Sequence, residues 1–104
     1  GMVRETAVAS ERVWSGFVRA LPGMASGWHH HGDYETVIYM VGGSARFEFG
    51  QGGNAAFLAR EGDFIHVPPG AVHRESNPGE TEALFVVTRA GSGTPVVNVE
   101  GPSG

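Results

Sequence analysis

The sequence predicts a small all-β domain, an antiparallel β-barrel or jelly roll. Apolar residues recur with period two in short runs, as on half-buried strands. Turns rich in glycine and proline separate the runs, and with 17 glycines in 104 residues the chain has enough of them to bound every run. No stretch shows the spacing of an amphipathic helix. Closure into a barrel hides strand edges and creates an interior.

Residues 3–10 are weakly patterned and read as a short strand or arm. Over 13–21, Trp14, Gly16, Val18 and Ala20 share one face and Val13, Ser15, Phe17, Arg19 and Leu21 the other; Pro22-Gly23 ends the strand. Residues 35–41 are apolar on both faces, Val37, Tyr39 and Val41 against Ile38 and Met40, so a second sheet and another subunit are expected to cover them. After Gly42-Gly43, residues 44–49 place Ala45, Phe47 and Phe49 inward and Arg46 and Glu48 outward. A turn over 50–54 leads to a strand over 55–59, and Gly62-Asp63 leads to one over 64–67. Pro68-Pro69-Gly70 stiffens the approach to His73. Asn77-Pro78-Gly79 turns the chain into an apolar strand over 82–88; residues 91–93 are loose, 96–99 make a last edge strand, and 101–104 form a flexible tail.

The length fits one domain, assigned to residues 3–100. Cysteine is absent, which removes disulfides, thiolate ligands and thiol nucleophiles. Lysine is absent too, since the seven basic residues are all arginine, and Schiff-base chemistry goes with it. A net charge of −4 without a basic cluster speaks against nucleic acid. No apolar run reaches the length of a membrane span, and nothing resembles a secretory leader, so a soluble cytoplasmic protein is expected. Gly1 reads as a scar before the initiator Met2.

The chemistry is concentrated in residues 23–42 and 62–77. His29 and His31 are two apart, so on a strand both imidazoles face one way. Glu35 has the same parity and is expected to return to that face even where Gly32-Asp33 bends the chain, while His73 arrives from the second segment. Three imidazoles and a carboxylate suit a first-row transition metal.

These residues carry a resemblance to the cupin superfamily, specifically its small single-domain members. Gly23, His29, His31, Glu35 and Gly42 match every position of the family's first motif, and Gly62, Pro68, Gly70, His73 and Asn77 match the second. The resemblance implies a double-stranded β-helix of six to eight strands, a divalent ion held by His29, His31, Glu35 and His73, and often a homodimer.

Other residues divide between roles. His30 should face away from the ligands. Trp28 either lines the pocket mouth or packs, and Asp33 and Tyr34 fall in a turn. Glu75 shares the parity of His73 and is a candidate general base or partner of a ligand imidazole, against a solvated carboxylate. His66 is the other catalytic candidate, although parity does not decide its facing. Asn77 reads as a turn-former bonding to backbone. Phe47, Phe49, Phe57, Phe64 and Phe85 are core candidates, some lining a small apolar cavity, while Arg46, Arg60 and Arg74 are too scattered for a phosphate clamp.

Four nitrogen and oxygen ligands leave one or two positions open on one divalent ion, with iron(II), manganese(II), nickel(II), copper(II) and zinc(II) all compatible. Three functions follow: a dioxygenase-like enzyme acting on a small, apolar or planar molecule, a metal-dependent isomerase, epimerase or decarboxylase, and a small-ligand binding module without turnover. The surplus of apolar surface predicts a homodimer formed by sheet packing or exchanged N-terminal strands.

Overall fold

The computed structural model describes residues 2–50, 55–91 and 96–99. The tail expected over 101–104 lies outside the described residues, as do most of the turn over 50–54 and of the loose segment over 91–93. Ten strands and no helix occur among the described residues: β1 (Met2–Ala9), β2 (Val13–Ala20), β3 (His29–His30), β4 (Glu35–Gly42), β5 (Ser44–Phe49), β6 (Ala55–Arg60), β7 (Phe64–Val67), β8 (His73–Ser76), β9 (Ala83–Ala90) and β10 (Val97–Asn98). The short strand or arm expected at the start is an eight-residue edge strand.

The strands form two five-stranded antiparallel sheets, β1-β2-β9-β4-β7 and β10-β3-β8-β5-β6. They face one another in a jelly-roll sandwich. The core between them is Val18, Ala20, Ile38, Met40 and Phe85 with Ile65, Val67 and Ala83 from the first sheet, and Ala45, Phe47 and Ala59 from the second. Alternation is strict on β4, where Thr36, Ile38 and Met40 are buried and Glu35, Val37, Tyr39 and Val41 are exposed.

Two core assignments are corrected, one by the same alternation and one by an edge position. On β7, Ile65 and Val67 take the inner face, so Phe64 stands outside at 71% exposure, its ring tilted against that of Tyr39. Phe57 is half-exposed at the sheet edge, its ring against Phe47 and Phe49.

Two features bring the histidine-bearing segments together. The stretch before β3 runs beside the end of β8: Gly23 N–H donates to Asn77 O (2.8 Å), Asn77 N–H to Met24 O (2.9 Å) and Ser26 N–H to Glu75 O (2.8 Å). The Pro68-Pro69-Gly70 turn docks on the turn after His31, with Gly70 N–H donating to Gly32 O at 2.8 Å. Gly32 itself sits at φ 59°, a left-handed conformation open to glycine. At Gly43, between the two sheets, φ is 73° and a Cβ would lie 2.7 Å from Glu82 O. No larger residue fits there.

Candidate metal centre

His29 and His73 are paired residues of β3 and β8, on the inner face of the second sheet, and His31 follows β3 by one residue. All three are buried, and one nitrogen from each lies within 4.8 Å of the others. The ring centroids of His29 and His73 are 4.3 Å apart, and Phe49 stacks on His73 at 5.3 Å.

The outer nitrogens are fixed by backbone. Nδ1 of His29 is 2.8 Å from Gly27 O, and Nδ1 of His73 is 2.9 Å from Ala71 O. A carbonyl only accepts, so each Nδ1 carries the proton and each Nε2 keeps its lone pair for the interior. The two carbonyls belong to residues two positions upstream, so the extended chain entering each strand orients its own ligand. Burial, opposed in part by the Ala71 carbonyl, pushes His73 down to about 4, which keeps it neutral and able to ligate at neutral pH.

Glu75 alternates with Arg74 on β8 and therefore faces inward beside His73. Its Oε2 is 3.5 Å from His73 Nε2 and 3.7 Å from His29 Nε2. Burial raises its pKa, while His29 and Arg4 oppose that shift. Of the two catalytic candidates, Glu75 is thus at the cluster.

Glu35 and His66 are not. The expectation that Glu35 completes the ligand set is corrected by the structure: its carboxylate points to the outer face of the first sheet, 2.7 Å from His66 Nε2, with the two side chains 59% and 54% exposed. The reason is the turn at Gly32, closed by Tyr34 N–H to His31 O (3.0 Å), which resets the parity counted from the histidines. Thr36, the next residue, takes the inner position. His66 lies outside because Ile65 and Val67 hold the inner face of β7.

Four buried side-chain atoms have no hydrogen-bond partner among the described residues: Thr36 Oγ1, Arg89 Nε, His73 Nε2 and Glu75 Oε2. Thr36 and Arg89 are cross-strand partners on the inner face of the first sheet, and His73 and Glu75 lie on the inner face of the second. At the other end Asn77 reaches Ala20 O, so the histidines and the Arg89-Thr36 row share the end away from Asn77. Buried polar atoms are rarely left unpaired, and here the orphans lie on the inner faces of both sheets. The donors fit a first-row divalent ion: three clustered imidazoles, two of them with Nδ1–H held by backbone carbonyls, and a carboxyl beside them.

Sequence reasoning missed Thr36 and Arg89. Strand parity over β4 and β9 would have found both, since each shares the face of Ile38 or Phe85. Trp28, His30 and Arg74 are half-buried. Trp28 carries Arg74 over its ring at 4.8 Å, Arg74 donates to Glu48 (3.1 Å), and His30 Nδ1 accepts from Gly32 N–H (3.0 Å). The Arg74 hydrogen bond lowers the Glu48 pKa.

A two-sheet jelly roll with a buried histidine triad from two strands defines a class, and comparison agrees with it. The model of the cupin domain matches residues 16–89, and the chain belongs to that family. No curated protein matches the sequence. Among solved structures, the chain is similar to an uncharacterized conserved protein with a double-stranded beta-helix domain from Klebsiella pneumoniae (22% identity, 95% of this chain and 84% of that one, TM-score 0.82). It is similar to TT1209 from Thermus thermophilus (27% identity, 88% and 85% covered, TM-score 0.78). A mutant of Bacillus subtilis oxalate decarboxylase also matches, at 25% identity and TM-score 0.74, over 86% of this chain and 24% of that one.

Proposed function

We propose that this cupin is a mononuclear metal enzyme in which His29, His31 and His73 hold one divalent ion, with Glu75 beside the ligands and Glu35 outside them. The carrying observation is the pair of Nδ1–H to carbonyl bonds that leaves Nε2 of His29 and His73 turned toward each other and toward Glu75 in the buried interior. Three histidines leave more positions open than three histidines and a carboxylate, so a small organic substrate and a second reactant fit beside the ion together. That favours the dioxygenase-like reading, with iron(II) supplying oxygen activation when bound. Phe47 in the core, and Phe49 and Val87 packed against it, give the interior an apolar side that suits a small molecule with a flat or apolar body.

A second reading has its own observation. Glu75 is a buried carboxyl of raised pKa beside the ligands, the kind of group that proton transfer in isomerase or decarboxylase chemistry needs. The likeness to an oxalate decarboxylase, with a related structure described for its Mn(II) centres, supports this reading at the level of the fold.

Element-resolved analysis of protein prepared without a metal-affinity step separates the two. Iron, with oxygen consumed on substrate addition, supports the first. Manganese, nickel or zinc, with turnover lost in Glu75→Gln and no oxygen uptake, supports the second. An intact metal site with neither activity returns the protein to a binding role.

The reading includes a cytoplasmic homodimer. No helix among the described residues is long and apolar enough to cross a membrane, and the outer face of the first sheet exposes Phe17, Val37, Tyr39, Val41 and Phe64, an apolar patch suited to a second copy. A monomeric mass by light scattering at micromolar concentration would sink the dimer.

A further inference from the structure

The histidines lie on the inner face of the second sheet. On the inner face of the first sheet, Arg89 is 6% exposed, its Nε has no hydrogen-bond partner, and it enters no ion pair among the described residues. Its guanidinium lies over the Trp14 ring, 4.6 Å from the centroid. Trp14 is itself held by Nε1–H donating to Thr6 Oγ1 at 3.1 Å, and its ring covers Gly16. Stacking satisfies the face of a guanidinium and leaves its edge N–H groups directed along the ring plane.

A buried cation without a counter-charge is costly, and a second cation adds to the cost. Arg4 shares the inner parity of Met2 on β1 and lies close enough to act electrostatically on both Arg89 and Glu75. Burial, followed by Arg4, disfavours the charged form of Arg89, with Tyr34 opposing. Beside it stands Thr36, whose buried hydroxyl is also unpartnered and can donate. Two arginines and a hydroxyl on one wall are acceptor-seeking groups, and a carboxylate offers the matching paired oxygens.

We propose that Arg89 and Thr36, with Arg4 at the rim, form a subsite for the carboxylate group of a small organic acid whose other end lies at the histidine cluster. This deepens the proposed function, since the buried interior is the same one. Trp14 is a positioning residue that holds the fork of Arg89.

The test uses the full chain, zinc-loaded and metal-free, with benzoate and its uncharged isostere benzamide as probes. Calorimetric titration of the zinc-loaded protein should show benzoate preferred by about tenfold or more, the size of a charge-assisted contact. Arg89→Met should abolish the preference while zinc content stays unchanged, and Arg89→Lys should restore it only in part, because an ammonium keeps charge but loses the fork. The Arg89 Nε–H resonance of the wild-type protein should shift with benzoate and stay fixed with benzamide, a readout that holds even where a variant fails to fold. The metal-free protein keeps the two ideas apart. Benzoate bound there through Arg89 supports the subsite even if the histidines hold no ion. Metal binding with equal benzoate affinity in wild type and Arg89→Met, or an unmoved Nε–H signal, overturns the subsite and leaves the metal reading intact.

Discussion

Replacing Asn77 with alanine should cost the metal-free fold more than any rim substitution. Its buried side chain donates through Nδ2 to Ala20 O (2.8 Å) and Thr81 O (2.9 Å) and accepts at Oδ1 from Gly79 N–H (3.0 Å). The first bond clasps the end of β2 to the turn after β8, across the two sheets. Three bonds at about 1 kcal/mol each, with a further ~1 kcal/mol for leaving the buried Ala20 carbonyl unpaired, give a loss of about 4 kcal/mol. A domain of this size has an unfolding entropy of about 0.2 kcal/mol/K, so the midpoint should fall by roughly 15–20 °C. Circular dichroism melts of metal-free wild type, Asn77→Ala and Asn77→Asp measure it. The aspartate keeps only the Gly79 acceptor, so its melt should lie near the alanine variant. A fall of less than about 3 °C in Asn77→Ala, equivalent to some 0.6 kcal/mol, refutes the clasp.

Metal-free protein should also weaken in acid through His73. Its folded pKa is near 4 against 6.5 ordinarily, lowered chiefly by burial, so between those values the unfolded chain binds a proton that the folded chain does not. Stability therefore falls as pH drops through that window, by about 3 kcal/mol at most, and levels off below it; urea midpoints unchanged between about pH 7 and pH 4.5 contradict this. Gly16→Ala should destabilise by about 1–3 kcal/mol, because the added methyl overlaps the Glu5 carbonyl oxygen and meets the Trp14 ring at 3.0 Å. Chemical denaturation reads the effect, and an unchanged midpoint means that β1 does not pack there.

The histidines were legible because His29 and His31 lie within one extended stretch, and parity survives inside such a stretch. Parity does not survive a turn. Counting on from His31 to Glu35 crosses the left-handed Gly32, and the carboxylate arrives on the wrong face of β4 with His66 for company. Glu75 was readable for the opposite reason, since only Arg74 separates it from His73 on one strand.

The strand order was hidden. Nothing local says that β9 enters between β2 and β4, and that insertion places Arg89 beside both Trp14 and Thr36. The reading of β9 over 82–88 also stops one residue short of Arg89, which in sequence looks like the solvated end of a strand. Sheet exteriors were hidden for a simpler reason. An exposed Phe64 and a buried Phe47 have the same composition, and only neighbours tell them apart.

The central claim is that the ligands are His29, His31 and His73, with Glu75 beside them and Glu35 outside. Metal content and affinity of the wild type, His73→Ala, Glu35→Ala and Glu75→Ala, all prepared without a metal-affinity step, test it most directly. One ion per chain is predicted for the wild type and for Glu35→Ala, none for His73→Ala, and an affinity weakened about tenfold or more for Glu75→Ala. Loss of the ion in Glu35→Ala with full retention in Glu75→Ala would contradict the account.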